Sequence, residues 1–132
     1  MEIPDGLELR ESSIHGLGIF TTREFSAGYN FGEFVGEEMA WGEFKLRYGK
    51  DYRYCYKMMR AHKIIVAKEK RNWITFINSG TPNVILKKKC CFALRSLKAG
   101  DELLLDYGRL YPPYHTILET KKYPTLGRVV WE

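Results

Sequence analysis

The chain has 132 residues, of which 45% are hydrophobic and 14% aromatic, so it is sufficient for one folded domain and is not a disordered polypeptide. No run approaches the roughly 20 apolar residues of a membrane span, and residues 1–5 lack the basic and apolar regions of a signal peptide; we therefore expect a soluble intracellular protein. The net charge of +5 favours acidic partners.

The predicted elements are mainly short strands separated by turns, as alternating or β-branched apolar runs indicate. In chain order the predicted strands are Leu7–Arg10, Ile19–Thr22, Asn30–Val35, Tyr52–Met58, Ile64–Val66, Val84–Leu86, Cys90–Leu94 and Leu103–Asp106. Many short strands with little helix predict a mainly β fold built from small sheets.

One helix is predicted at Trp41–Tyr48, with Gly49 as its C-terminal cap. Further along, Tyr52, Tyr54 and Tyr56 alternate and should share one face of their strand. The apolar segment Trp73–Ile77 leads into a polar loop. The prolines after residue 109 predict a mostly irregular tail, with a turn of helix near residues 115–120.

The cysteines and the basic runs favour no special site. Cys55, Cys90 and Cys91 form neither a disulfide framework nor a zinc pattern, and we expect them to be reduced. The runs Lys68–Arg71 and Lys87–Lys89 are expected to be solvated hairpin loops. Nucleic-acid binding through them is an alternative hypothesis that we do not favour, because Lys87–Lys89 lacks the aromatic side chains on which bases stack.

Three motifs place polar groups between the apolar runs. The turn Gly16-Leu17-Gly18 lets the backbone approach a ligand closely, although a lone Gly-x-Gly is more often a plain turn. The loop of residues 78–83 begins with Asn78, whose amide offers both a donor and an acceptor. Residues 100–108 form an apolar strand that runs into Asp106-Tyr107-Gly108.

The order and separation of these motifs resemble the SET domain family of protein lysine methyltransferases. Phe76, Asn78, Pro82 and Asn83 match the family pattern Arg-Phe-x-Asn-His-Ser-Cys-x-Pro-Asn. Residues 100–108 match its Gly-Glu-Glu-(apolar)-x-x-(Asp/Ser)-Tyr-Gly pattern.

The resemblance covers about residues 7–111 and implies one SET-like domain over residues 1–132, with an irregular tail over residues 112–132. It also implies a SET fold of small curved sheets with a C-terminal pseudoknot. Phe31-Gly32 and Asn72-Trp73 resemble the PR subclass found in zinc-finger regulators.

The resemblance further implies methyl transfer from S-adenosylmethionine to a protein lysine, with a histone tail as the expected substrate, chromatin partners and a nuclear rather than cytoplasmic location. Tyr107 would be the catalytic residue that orients the amine, and no metal is expected. The expected cofactor-binding residues are Gly16, Leu17, Gly18, Asn78 and Ser79. The expected channel residues are Tyr54, Tyr56, Leu105 and Tyr111.

Two questions stay open at the channel. The sequence leaves unsettled which of the three alternating tyrosines faces it, and a shared core face is an equal alternative. Leu105 lies where many relatives carry Phe or Tyr that sets the degree of methylation, so mono-, di- and trimethylation all remain open.

The chain departs from the family at two places. Ser79 replaces the histidine after Asn78 in a loop one residue shorter, and no cysteine follows Tyr107 to form a zinc-bound tail. The alternative function is therefore a weakly active or inactive PR/SET interaction module in transcription regulation. The basic surface also opposes a basic histone tail, unless acidic groups such as Glu33, Glu37 and Asp106 cluster at the groove.

Overall fold

The computed structural model describes residues 1–58 and 61–106, together with the backbone of residues 130–131. Its elements are β1 (Leu7–Glu11), β2 (Leu17–Thr21), β3 (Asn30–Glu33), β4 (Glu37–Ala40), α1 (Trp41–Tyr48), β5 (Cys55–Met58), β6 (Lys63–Val66), β7 (Asn78–Ser79), β8 (Val84–Lys87), β9 (Cys90–Ala93), β10 (Leu104–Leu105) and β11 (Val130–Trp131). A 3-10 turn spans Trp73–Phe76. The mainly β fold of small sheets that the sequence predicts is confirmed.

The strands form four small sheets. β1 and β2 make an antiparallel hairpin, while β3, β9 and β8 make a second antiparallel sheet. The third sheet has the order β11-β5-β6-β4, and the fourth joins β7 and β10 in parallel. Parallel strands require a crossover connection between them, and here residues 80–103 supply it. The pairing of β7 with β10 places residue 78 opposite residue 104.

The hydrophobic core follows the apolar faces of these sheets. Its main cluster packs residues from eight strands around the buried aromatic rings of Phe31, Phe34, Tyr56 and Trp73. A smaller cluster beneath α1 contains Met39, Phe44, Cys55, Ile64 and Val66.

The single predicted helix is confirmed in both its bounds and its cap. α1 spans Trp41–Tyr48, and the Gly49 N–H donates to the carbonyl of Lys45. Only Phe44 of this helix is buried, and Leu46 is 90% exposed. The helix therefore lies on the sheet as a one-sided cover.

The predicted hairpin around the triple-lysine run is also confirmed. β8 and β9 pair antiparallel from Val84–Ala93 to Lys87–Cys90. Lys88 and Lys89 both have positive φ, at 50° and 70°, which is the geometry of a two-residue hairpin turn. Cys91 is fully buried whereas Cys90 is half-buried, as the alternation of a strand requires.

The prediction that three alternating tyrosines share one strand face is wrong. β5 begins at Cys55, and Tyr54 has a positive φ of 62° that breaks the alternation before it. The Tyr54 carbonyl accepts from the Ala67 N–H at 2.9 Å. The ring of Tyr52 instead stacks on Phe44, with 5.2 Å between centroids.

Three strands lie where the sequence predicts none: β4, β7 and β11, the last of them in the tail predicted as mostly irregular. Four strands, β3, β5, β9 and β10, are shorter than predicted. β4, Glu-Glu-Met-Ala, has only Met39 buried, so it carries no apolar pattern, yet it pairs along β6. β7 lies within the polar loop, because its partner β10 supplies the hydrogen bonds. β10 is limited to Leu104–Leu105 of the predicted Leu103–Asp106.

Candidate functional site

The turn between β1 and β2 forms one side of the candidate site. The Ser12 N–H donates to the Gly16 carbonyl at 2.7 Å, and the Ile14 N–H donates to the Ser12 hydroxyl at 3.0 Å. Gly16 has a φ of 47°, and a Cβ there would meet no atom within 4 Å. The turn is thus closed internally, while its outer surface at residues 13–17 is exposed.

Asn78 holds this turn from below. The side chain is 4% exposed, and its Nδ2 lies 3.0 Å from the His15 carbonyl, 3.2 Å from the Leu17 carbonyl and 2.9 Å from Glu102 Oε2. An amide nitrogen carries two protons, so these three acceptors share them. Asn78 therefore joins the glycine turn to the strand pair β7–β10.

Glu102 is the central acceptor of the site, and our sequence reasoning assigned it no role. Its carboxylate accepts from the Ser12 hydroxyl, at 2.9 Å from each oxygen, and from Asn78. The signal that could have found it is the second acid of the Gly-Glu-Glu pattern. A carboxylate that accepts from two segments fixes both by charge-assisted hydrogen bonds, the stronger kind.

Gly18 is required by close approach rather than by an unusual φ. A Cβ at this position would collide with Oε2 of Glu102 and lie 3.1 Å from Nδ2 of Asn78. Any larger residue would therefore push apart the two side chains that hold the turn.

Asn83 anchors the other end of the loop. This side chain is 3% exposed; its Nδ2 donates to the Glu102 carbonyl at 2.8 Å, and its Oδ1 accepts from the Leu104 N–H at 2.8 Å. The Gly80 N–H donates to the Leu105 carbonyl at 2.9 Å. These hydrogen bonds fix the loop to β10. Asp106 follows β10 and is the last residue that the structure describes before residue 130.

These contacts bring together residues from three distant parts of the chain, and comparison with known proteins identifies the arrangement. The SET domain family matches residues 16–108, which is most of the chain. The chain belongs to the SET domain family. This is the family of protein lysine methyltransferases that the motifs resemble.

A solved structure supports the same fold. The chain superposes with a TM-score of 0.67 and 23% identity on a structure described as a humanized mutant of the Chaetomium thermophilum Polycomb Repressive Complex 2 bound to the inhibitor GSK126. The match covers 83% of this chain but 16% of the other chain, so the chain spans a small part of that protein's length. No curated protein matches the sequence.

The structure places the expected cofactor residues of the SET domain in neighbouring segments. Leu17 and Gly18 lie against Asn78, and Gly16 precedes them in the same turn. Ser79 follows Asn78 in β7 and is paired with Leu105. Tyr107 and Tyr111 lie outside the described residues, as does the turn of helix expected near residues 115–120.

The two described tyrosines of the expected channel have different surroundings. Tyr56 is fully buried, stacks on Phe34 and accepts a hydrogen bond from the Lys89 N–H at 2.9 Å through its hydroxyl. Tyr54 is half-buried, and the guanidinium of Arg71 lies 3.6 Å from its ring centroid. Leu105 is 2% exposed in β10.

The pKa values of three side chains in or near β5 are shifted by their surroundings. Hydrogen bonds from Arg53 hold the pKa of Asp51 down at about 2, with Lys68 contributing at 3.4 Å. Lys57 lies over the rings of Trp41 and Tyr52, and its burial lowers its pKa. Burial also raises the pKa of the Cys55 thiol to about 12.

No metal centre converges in the part of the chain that the structure describes, where no three His, Cys, Asp or Glu side chains are close enough to bind an ion. His15 is exposed in the glycine turn, and His62 stacks on Trp41 at 4.7 Å. Across residues 1–58 and 61–106, no helix is long and apolar enough to cross a membrane.

Proposed function

We propose that this SET domain transfers a methyl group from S-adenosylmethionine to a lysine side chain of a protein, with a histone tail as the substrate. The observation that carries the proposal is the convergence of the glycine turn, Asn78 and Glu102 in a chain of this family. A histone substrate would place the protein in the nucleus with chromatin partners.

The described residues suit this cofactor chemically. The exposed turn at Gly16 offers open space beside backbone carbonyls and amides. The carboxylate of Glu102 lies directly beneath it, and a negative group there favours a cationic ligand such as an ammonium or sulfonium. We assign cofactor binding to Gly16, Leu17, Gly18, Asn78 and Ser79.

The cofactor supplies an electrophilic methyl group when bound. The protein must orient the attacking lysine and exclude bulk water. Attack by a lysine needs a neutral amine held in line and shielded from bulk water. We assign the orienting role to Tyr107, at the end of the strand that Asn83 fixes. Tyr54, Leu105 and Tyr111 would line the channel.

We leave Tyr56 out of the proposed channel. Its hydroxyl accepts from the turn between β8 and β9, and its ring packs inside the main core. This contact gives the residue a packing role that is sufficient to explain its burial.

The test is transfer of a labelled methyl group to mixed histones by the wild type and by Tyr107→Phe. We expect transfer by the wild type and a loss of about 10²-fold in the variant, because misplacing a reacting group by about 1 Å costs that much. Tyr29→Phe is the matched control, since Tyr29 is 40% exposed and packs at a tilted angle against Phe25. Undiminished transfer by Tyr107→Phe would refute the assigned role.

The second candidate is a PR-type interaction module without activity, which Ser79 favours because it replaces the family histidine. Calorimetric titration with S-adenosylmethionine separates the two functions. Heat that saturates supports the enzyme, whereas no heat at millimolar ligand supports the module.

A further inference from the structure

β1 (Leu7–Glu11) is the outer strand of its sheet. Its partner β2 is bonded on the far side to residues 100–103, for example by the Leu103 N–H, which donates to the Ile19 carbonyl at 2.8 Å. Among the described residues, β1 therefore has a neighbouring strand on one side only. The free side of such an edge strand presents N–H and C=O groups to which another strand can bond.

The hydrogen bonds at the two ends of the hairpin show which residues face the free side. The Thr22 N–H donates to the Gly6 carbonyl at 2.8 Å, and the Ser12 N–H donates to the Gly16 carbonyl at 2.7 Å. In an antiparallel ladder hydrogen-bonded pairs alternate with non-hydrogen-bonded pairs. The even-numbered residues of β1 thus bond to β2, and the odd-numbered ones direct their backbone groups outward.

The outward groups of β1 belong to Leu7, Leu9 and Glu11. The Leu7 N–H already donates to the Pro4 carbonyl at 3.1 Å. The Leu9 and Glu11 N–H groups and the Leu7 and Leu9 carbonyls have no backbone partner within the described ranges. These groups are available to a further strand.

Glu8 and Arg10 give this edge its charge pattern. They lie on the exposed face of β1, where their side chains are 47% and 49% exposed and 3.4 Å apart. The Arg10 guanidinium also lies 4.0 Å from the ring centroid of Phe20, which restricts its position before any partner binds. Glu11, the third charge of the strand, lies on the opposite face with Leu7 and Leu9.

Two antiparallel copies of β1 are complementary in one alignment. Bonding requires outward-facing residues to lie opposite one another, which restricts the possible alignments. With Leu9 opposite Leu9 of a second copy, each Glu8 lies opposite Arg10. The adjacent bonded alignments place Glu8 opposite Glu8 or Arg10 opposite Arg10, and like charges directly opposite one another are destabilising.

We propose that β1 is an interaction surface for a second copy of this chain, whose own β1 pairs with it antiparallel with Leu9 at the centre. The Leu9 N–H donates to the Leu9 carbonyl of the second copy, and the Glu11 N–H donates to its Leu7 carbonyl. Each Glu8 meets Arg10 of the other copy in a close, non-hydrogen-bonded pair. β1 has no proline or bulge that would block this pairing.

The dimer is expected to be weak. A pair of five-residue strands is a contact of the small, transient class, and the net charge of +5 on each copy opposes association. The inference goes beyond the proposed function, because this association requires neither cofactor nor methyl transfer.

Sedimentation velocity at protein concentrations from about 10 µM to 1 mM, the range of weak association, tests the surface. We expect the sedimentation coefficient of the wild type to rise with concentration. Glu8→Arg and Arg10→Glu each place charges of one sign at all the facing positions, and each should weaken association by about tenfold or more. A wild type that stays monomeric, or variants that associate like the wild type, would overturn the proposal.

An equimolar mixture of these two variants tests the alignment. Glu8→Arg supplies arginine at positions 8 and 10, and Arg10→Glu supplies glutamate at both, so opposite charges face each other throughout the mixed pair. We expect the mixture to associate at least as strongly as the wild type. Both variants remain net positive, so overall attraction would not explain this recovery. Failure of the mixture to associate would overturn the proposed pairing.

The backbone contact is tested at Glu11. Glu11→Pro removes the outward N–H without removing a bond to β2, and a proline is tolerated at such an edge position. Glu11→Gln is the matched control, because it makes the same charge change and keeps the N–H. We expect Glu11→Pro alone to weaken association, with circular dichroism showing that both variants fold. Equal association of the two folded variants would contradict the strand pairing. The mixture of charge variants decides the question independently, because it alters exposed side chains only.

Discussion

Removal of the Glu102 carboxylate should destabilise the whole fold as well as the candidate site. The carboxylate accepts from Ser12, 90 positions earlier in the chain, and from Asn78, 24 positions earlier. Glu102→Ala deletes both acceptors. Ser12 then loses a partner, whereas Asn78 retains the carbonyls of His15 and Leu17.

The expected magnitude follows from these two bonds. A hydrogen bond to a charged group contributes about 1.5–3 kcal/mol, and the half-buried position of Glu102 and the remaining partners of Asn78 place the sum near the lower end. We expect Glu102→Ala to lower the free energy of unfolding by about 3 kcal/mol, which lowers the Tm by roughly 10 °C in a domain of this size. Glu102→Gln, which keeps one acceptor oxygen, should cost about half as much.

Urea denaturation followed by circular dichroism measures the effect. Glu24→Ala is the control, because Glu24 is exposed and forms no ion pair with any residue in the described ranges. It should change the free energy of unfolding by less than about 0.5 kcal/mol. A loss in Glu102→Ala no larger than in this control would refute the assignment of Glu102 as the acceptor that joins the segments.

Three other predictions test separate parts of the structure. Gly18→Ala should cost about 1–3 kcal/mol and abolish binding of S-adenosylmethionine in calorimetry, because its methyl collides with Glu102; wild-type affinity would contradict the close packing. Asp51 has a pKa of about 2 in the folded state, below the unfolded value near 3.9. The stabilisation that its ionised carboxylate gives to the fold is therefore present above pH 4 and lost as the pH falls through 2. Asp51→Asn should therefore cost about 1 kcal/mol at pH 7, after allowance for solvent exposure, and nothing below pH 2 by urea titration; a cost independent of pH would be inconsistent with this ion pair. Native protein should react with a thiol reagent at pH 8 at Cys90 alone, because burial raises the thiol pKa of Cys55 to about 12 and that of Cys91 still further; rapid labelling at more than one cysteine would show that the two are accessible.

The sequence predicts the elements whose side chains alternate or repeat. α1 and the hairpin of β8 and β9 appear within a residue or so of their predicted bounds, because their local patterns agree with their tertiary contacts. β4 has no such pattern, since only Met39 faces the core. It is a strand only because it pairs with β6, and the periodicity of a single sequence does not show which strands pair.

The site is predictable to a similar, partial degree. Family resemblance indicates Gly16, Gly18 and Asn78, and the structure places Asn78 against Gly18 in the turn that contains Gly16. It does not indicate that Glu102 holds them, because that role depends on geometry across the chain. The tyrosine alternation fails for a local reason, since the positive φ of Tyr54 removes it from the strand.

The parallel pairing of β7 with β10 has a consequence for how the protein folds. The hydrogen bonds that fix Asn78 span 24 to 63 positions of sequence, and contacts of such long range slow folding because loop-closure entropy must be overcome first. The contacts within the hairpins β1–β2 and β8–β9 are short in sequence, so they can form before these long-range contacts. A nascent chain that has not yet emerged as far as residue 102 would lack Glu102 and β10, so its glycine-turn site would assemble only after these residues become available.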